Sequence, residues 1–205
     1  NGIASRVVNI KADECWRKLP LLHDGKSKED YQDDTPFLKT WLELEEKHSL
    51  SSVMHEVDVS LGYSRFAVIV VGVMGDTDYS KPLEQGGGKA ISFIRVLDEG
   101  QVTMLAPVTN ETDPRYGLPN SYQCTFEDGG KSIPVHWTRV IHFKQGHSRS
   151  NIYGVPGLKK SFNNLQDLEK VTGSSSEAFW QQIRRVIVLA AKEGTTLPSP
   201  GTPEH

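Results

Sequence analysis

The chain has 205 residues, of which 37% are hydrophobic and 24% are charged, and its formal net charge is -3. This length fits one domain or slightly more, and the hydrophobic fraction can supply a packed core. The slight acidic excess excludes a generally basic nucleic-acid-binding protein, which would carry a basic face and a high isoelectric point. It remains compatible with a protein through which DNA passes without being bound tightly.

The first predicted elements are helices. Thr35 has the side chain of a helix N-cap, and Pro36 suits the first helical position. The apolar stripe that follows ends near His48, and either Ser49 or Ser51 is placed to cap a further helix. We therefore predict a helical hairpin, built from a helix over residues 36–48 and another that ends at Gly62, with a short helix over residues 12–16 before it.

The pattern then changes to strands. Residues 66–73 form a continuous, mostly β-branched run, which is typical of a strand covered on both faces. This is also the longest apolar run, well short of the ~18 residues of a membrane span, so we predict no membrane partner. Two hairpins are predicted next, residues 90–97 with 101–105 and residues 121–126 with 132–143.

Helical spacing returns after residue 157. Apolar residues recur there at steps of three and four, at Leu158, Phe162, Leu165 and Leu168. Ser174 and Glu177 fit a capping box that would begin a second helix over residues 178–191, or the first helix continues through Gly173. Helices, then antiparallel hairpins, then helices predict an α+β fold, with an N-terminal helical hairpin, an antiparallel or mixed sheet and long C-terminal helices.

Residues 1–192 are predicted to form one domain, and residues 193–205 a disordered tail because they are rich in proline. The chain opens with Asn1 rather than Met, so we expect an excised or processed piece. Cys15 and Cys124 lie far apart without a CxxC pattern, and we predict two reduced thiols.

Two histidines, His136 and His142, stand in a single predicted strand over residues 132–143. In a straight strand they share one face, together with Thr138 and Val140. Six residues of strand span about 20 Å, whereas a zinc–nitrogen bond is about 2 Å long, so one ion cannot take both. We therefore predict no bound metal, which elemental analysis of chelator-free protein would test.

Other candidate sites have simpler interpretations. Residues 86–89 read Gly-Gly-Gly-Lys, but Ala90 replaces the hydroxyl residue of a phosphate-binding loop and a strand follows instead of a helix. Ser64 lacks the second glycine of a nucleophile elbow. Asp76 and Asp78 could bind a cation but fit a polar turn. We predict no catalytic, cofactor-binding or metal residues, and no enzymatic activity.

The apolar positions predict a strand–helix contact. We expect one strand face to pack on the late helix, with Trp137, Ile141 and Phe143 against Leu158, Phe162 and Leu165. Phe162→Ala would then cost about 3–5 kcal/mol. Farther along the helix, the spacing of Phe179, Trp180, Ile183 and Ile187 permits either a core role or an exposed apolar patch.

Several stretches together resemble a known family. They are residues 7–14, residues 61–70, residues 82–83 with 91–96, Tyr116–Pro119 with Tyr122, residues 135–143, residues 153–158 and residues 165–180. In this order and spacing they are similar to the N-terminal wing region of tailed-phage portal proteins, with Thr138 where serine is usual. By this resemblance, residues 135–143 are a structural strand of the wing that leads into a turn and a long helix.

The resemblance implies a structural protein of the virion, assembled in the host cytoplasm, with no enzymatic activity and no cofactor. Portal proteins form rings, usually dodecamers, at one capsid vertex through which DNA is packaged and ejected. The implied partners are further copies of the chain, the terminase, capsid proteins, and tail or head-completion proteins, with weak contacts to DNA. Portal chains are typically about twice as long, so this chain matches a part of one.

Two other functions stay open. One is a prophage-encoded hydrolase or nucleotide-binding regulator on the same fold, which would need acidic residues and histidines that converge on a pocket. The candidates are His48, His55, Asp58, His136, His142 and His147, without a pair at catalytic spacing. The other is a protein-interaction module that binds a scaffold or the terminase.

Overall fold

The computed structural model describes residues 2–18, 20, 22–25, 35–83, 90–105, 107–126 and 130–183. The described helices are α1 (Gly2–Cys15), α2 (Pro36–His48), α3 (Leu50–Tyr63) and α4 (Phe162–Ile183). The strands are β1 (Ala67–Val73), β2 (Ile91–Asp98), β3 (Val102–Met104), β4 (Ser121–Thr125), β5 (Ser132–His136) and β6 (Val140–Phe143). The α+β fold class is therefore confirmed.

The chain divides into two compact units, Asn1–Asn163 and Asn164–His205. All the described strands belong to the first unit. One domain over residues 1–192 stays a prediction, and the predicted tail over residues 193–205 lies outside the described residues.

The predicted start of α2 is confirmed. The Thr35 side chain accepts a hydrogen bond from the Leu38 N–H at 3.3 Å, with Pro36 at the first helical position, and the helix ends at His48. Of the two serines predicted to cap α3, Ser49 occupies the N-cap position but makes no capping hydrogen bond. Ser49 adopts a left-handed φ of 49° without a side-chain cap bond, and the Ser51 N–H donates instead to the Glu45 carboxylate at 3.1 Å.

Helix α1 is longer than the predicted residues 12–16, because it packs along α3. Ala12 is buried, and the Trp16 Nε1–H donates to the Asp58 carboxylate of α3 at 2.6 Å. Gly62 was predicted to end α3, but the helix continues to Tyr63. A Cβ at Gly62 would lie 2.5 Å from Val8 Cγ1, so this glycine allows α1 to approach closely.

The strands form two antiparallel three-stranded sheets. The first sheet has the order β2-β1-β6 and the second the order β3-β4-β5. β1 is the buried central strand that its sequence predicts. Its alternate residues face two cores: Val68 and Val70 pack with Tyr122 and Val135, whereas Ala67 and Ile69 pack with Val57 and Leu61 of α3.

One predicted hairpin is confirmed and the other is wrong. β4 pairs with β5, from Ser121 opposite His136 to Thr125 opposite Ser132. β2 and β3 are joined by a tight turn in which the Gln101 N–H donates to the Asp98 carbonyl at 3.1 Å. However, β2 pairs with β1 and β3 pairs with β4, so the chain crosses from one sheet to the other at this turn.

The predicted strand over residues 132–143 is broken. A 3-10 turn, Trp137–Arg139, separates β5 from β6, and the two strands belong to different sheets. His136 and His142 therefore do not share one face of a straight strand, and the spacing of about 20 Å does not apply. The His136 ring caps the turn, because its Nδ1 accepts from the Thr138 N–H at 3.4 Å.

Helix α4 is continuous through Gly173, so the predicted interruption by a capping box at Ser174 is wrong and the alternative is confirmed. None of its described residues is buried. Residues of the predicted helix beyond Ile183 lie outside the described part of the chain.

The predicted packing of Phe162 is also wrong. Phe162 is 50% exposed and Ile141 is 52% exposed, so neither is a core contact. Phe143 packs instead with the α3 cluster, and Trp137 packs with the cluster on the opposite face of β1. A cost of about 3–5 kcal/mol for Phe162→Ala therefore no longer follows, because that range belongs to buried phenylalanines.

Candidate functional site

A cavity of about 400 Å³ lies where the second sheet meets β6. It is bordered by the loop before β4, by the 3-10 turn and β6, and by the segment around residue 151. Its lining residues are Arg115, Leu118, Pro119, Tyr122, Trp137, Thr138, Val140, Ile141, His142, Asn151 and Ile152. The volume is in the range of small-ligand sites, and this is the candidate functional site.

Arg115 is held in place on the wall of this cavity. Its guanidinium lies over the Trp137 ring, 3.5 Å from the centroid, and its Nη2 donates to the Pro119 carbonyl at 2.8 Å. The Arg115 backbone N–H donates to the Asp113 carboxylate at 2.8 Å, which fixes the loop. Among the described residues, the buried Nε–H has no hydrogen-bond acceptor and the guanidinium has no carboxylate partner.

His142 and Tyr122 are polar side chains in the lining of the cavity. The His142 Nε2 is 2.8 Å from the Ile152 carbonyl, so it must carry the proton and donate it. Its Nδ1 is then an acceptor, 3.4 Å from the Tyr122 hydroxyl, and the ring stacks on Phe66 with the centroids 5.1 Å apart. Burial lowers the pKa of His142 and raises the pKa of Tyr122, so both side chains are neutral near pH 7.

His136 has a different role from His142. It bonds the Thr138 hydroxyl at 3.0 Å, and the Thr138 oxygen also accepts from the Leu83 N–H at 2.7 Å. Burial lowers the pKa of His136, and the nearby charges of Arg115 and Arg139 lower it further. Across the described part of the chain, no group of three or more His, Cys, Asp or Glu residues is arranged to hold a metal ion.

The second charged group near the turn is Arg139, which is 1% exposed. It forms an ion pair with Asp76, and its Nε donates to the Lys81 carbonyl at 3.0 Å. The polar turn predicted at Asp76 and Asp78 is therefore present, and Asp76 pairs with an arginine. Asp78 accepts from the Ser80 hydroxyl at 2.6 Å within the same turn.

Ser64 and the two cysteines are not among the described residues that line this cavity. Ser64 is buried at the end of α3. Both cysteines are free thiols, as predicted, and burial raises the pKa of Cys124 to about 12, so its thiol stays protonated. Residues 86–89 lie outside the described residues. Within the described residues, no helix has the length and apolar character needed to cross a membrane.

Sequence reasoning missed the cavity. Arg115 stands in a proline- and glycine-containing loop, and its stacking partner Trp137 was assigned to a strand face that packs on a helix. The available signal was the combination of an arginine in a fixed loop with a tryptophan, since guanidinium groups stack on aromatic rings. The order of these residues along the chain does not show that they meet.

We expect His142 to make the fold sensitive to acid. Its pKa is lower in the folded than in the unfolded protein, because the buried ring resists protonation. The stabilisation is present above the ordinary histidine pKa of 6.5 and is lost as the pH falls through the folded pKa. Urea unfolding at pH 7.5 and pH 5 should show a smaller acid-dependent loss for His142→Gln than for the original chain.

His136 has a pKa shifted in the same direction, so the double variant with His136→Gln should reduce the pH dependence further. A pH dependence that is unchanged in His142→Gln would show that His142 does not titrate differently in the two states.

Comparison with known proteins gives three results. A family model described as "Phage portal protein" matches residues 1–194. A curated protein, anti-CBASS protein Acb1 of Caulobacter sp. (strain RHG1), is 30% identical over 107 residues, which are 50% of this chain and 17% of that protein.

The third result concerns the fold alone. A chain in a solved structure described as the virion of a native gene transfer agent (GTA) particle aligns with a TM-score of 0.57 and 16% identity, over 98% of this chain and 48% of that chain. This chain therefore spans about half of the structural relative and a sixth of the curated one.

Proposed function

Because this chain belongs to the phage portal protein family, whose model matches residues 1–194, we propose that it is a structural subunit of a portal ring. The ring stands at a capsid vertex, and DNA enters and leaves through it with weak contacts. The partners are neighbouring copies of the chain, the terminase, capsid proteins and tail or head-completion proteins. The protein acts in the virion after assembly in the host cytoplasm and has no enzymatic role.

The family match carries this proposal, and the surface of α4 supports it. Six large apolar side chains on this helix are between 42% and 64% exposed: Phe162, Leu168, Val171, Phe179, Trp180 and Ile183. We call them the α4 apolar set; Ile187, which the sequence groups with Phe179, Trp180 and Ile183, lies outside the described residues. Apolar surface of this extent on one helix is typical of a contact with another protein.

Ring contacts also require two complementary patches on each subunit. The matched structural chain is about twice as long as this one, so part of the contact area of a complete ring would lie outside this chain. A ring of this piece alone should therefore be unstable. The contact that remains would be weak and would depend on protein concentration.

We expect the purified chain to be a monomer or a weak, concentration-dependent oligomer. Light scattering from about 1 µM to about 1 mM should show a rise in mean mass. Trp180→Glu should remove this rise, because it places a charge in the α4 apolar set. Phe37→Glu is the matched control: Phe37 is also exposed, but it lies on α2, so the rise should persist.

Two results would contradict these expectations. A stable twelve-subunit ring at micromolar concentration would show that this part of the portal assembles by itself. An association that Trp180→Glu leaves unchanged would show that the α4 apolar set is not the contact between subunits.

A further inference from the structure

The cavity beside Arg115 carries one isolated positive charge. Among its described lining residues, Arg115 is the charged side chain, and none is an Asp or a Glu. His142, which also lines the cavity, is neutral near pH 7 because burial lowers its pKa. An otherwise acidic chain thus presents a cation in a concave site without a carboxylate partner among the described residues. Charge complementarity favours an anionic ligand.

The geometry of Arg115 favours a carboxylate. The ring of Trp137 and the Pro119 carbonyl fix the plane of the guanidinium. A fixed, planar guanidinium binds carboxylates through charge-assisted hydrogen bonds and loses little side-chain entropy when it does so. An incoming carboxylate would contact the part of the guanidinium that lines the cavity, because the Nε–H itself is buried.

The rest of the wall favours an apolar group next to the carboxylate. Leu118, Val140, Ile141 and Ile152 line the same cavity. A free phosphate would gain nothing from these side chains, and it is usually held by several cations or backbone N–H groups. The volume of about 400 Å³ lies at the small end of ligand sites, which suits a short stretch of a chain.

We propose that this cavity is a docking site for an acidic peptide segment of a partner protein, in which a Glu or Asp carboxylate contacts Arg115 and a neighbouring apolar side chain occupies the wall formed by Leu118, Val140, Ile141 and Ile152. The proposal does not depend on the assembly of a ring. It assigns to this face of the molecule a partner of defined chemistry.

The test uses two peptides that differ in one group. Ac-Leu-Glu-NH2 carries the carboxylate, and Ac-Leu-Gln-NH2 is its uncharged isostere. Both are titrated into the full 15N-labelled chain, with the Trp137 indole and the Arg115 Nε–H signals as readouts. We expect a saturable shift with a Kd of about 1 mM for the glutamate peptide and at least about tenfold weaker binding for the glutamine peptide.

Variants locate the binding. Arg115→Gln should abolish the saturable shift, and Arg115→Lys should keep part of it. Arg95→Gln, at an exposed arginine that lines a different groove, is the control and should bind as the original chain does. Ile141→Glu adds a carboxylate at an exposed position on the cavity wall, keeps the contacts of Arg115, and should weaken binding about tenfold or more.

Several outcomes would overturn the proposal. They are equal affinity for the two peptides, the absence of a saturable shift at about 10 mM peptide, and displacement of the peptide by equimolar inorganic phosphate, which would identify a simple anion site. Arg115→Gln could also change the cavity by removing the stack on Trp137. The decisive variant is then Ile141→Glu, and undiminished binding by this folded variant would exclude the cavity as the site.

Discussion

Asp76→Ala should destabilise the fold by about 3–5 kcal/mol, because it leaves the buried Arg139 cation without its carboxylate. The Arg139 side chain is 1% exposed, so its charge would be poorly solvated after the carboxylate is removed. Its bond to the Lys81 carbonyl satisfies one further donor but supplies no negative charge. Chemical denaturation monitored by tryptophan fluorescence would measure the loss.

Asp78→Ala is the matched control in the same turn. The Asp78 side chain is 47% exposed and pairs with Lys81 on the surface, so its removal should cost much less than the removal of Asp76. Arg139→Met combined with Asp76→Ala should regain part of the loss, because an apolar side chain then replaces the unpaired charge. Equal costs for Asp76→Ala and Asp78→Ala would show that the buried ion pair does not stabilise the fold.

Gly154→Ala should have a second large effect, of about 3 kcal/mol or more. A Cβ at this position would lie 2.7 Å from the Gln145 nitrogen and 2.9 Å from the Arg65 carbonyl oxygen, and it would also clash with the Gln145 carbonyl oxygen. All three atoms belong to the backbone, so no side-chain rotation relieves the contact. The Gly154 N–H also donates to the Arg65 carbonyl at 2.7 Å, and a shift would weaken this bond.

Gly173→Ala should change the stability in the opposite direction. Gly173 lies in the interior of α4, and a Cβ there would meet no atom within 4 Å. Alanine in a helix interior is more favourable than glycine by about 0.5–1 kcal/mol, so this variant should be as stable as the original chain or more stable. If thermal unfolding shows both glycine variants to be neutral, the chain at Gly154 is free to move away from Arg65 and Gln145.

The elements that the sequence predicted well are those with local signals. The N-cap at Thr35 with Pro36 depends on neighbouring residues, and the apolar composition of β1 reflects its burial on both faces. The β4–β5 hairpin likewise follows from two short strands close together in the chain. Each of these predictions needed no knowledge of distant contacts.

The predictions that failed depend on contacts between distant residues. The apolar residues on both sides of residue 138 are compatible with one long strand, and the break there depends on Arg139 reaching Asp76, far away in the sequence. The partners of β2 and β3 depend on how the two sheets assemble, although the turn between them was predicted. The length of α1 depends on packing with α3 at Gly62.

The candidate site could not be predicted from the sequence. The sequence predicts no catalytic, cofactor-binding or metal residue, and that stays a prediction. The cavity was not predicted because Arg115, Trp137 and His142 are brought together by the assembly of two sheets and by a turn. Neither feature has a local sequence signature. Burial, which decides the charge of His142, also depends on this assembly.

The pairing of β1 with β6 has a consequence for synthesis. Val70 of β1 lies opposite Val140 of β6, and the whole second sheet lies between them in sequence. While the chain grows on a ribosome, β1 can pair with β2, but its other edge stays open until residues 140–143 have been translated and released. Closing a contact across so many residues is slow, so a nascent chain exposes the apolar edge of β1 to chaperones or to other nascent chains while residues 74–143 are translated.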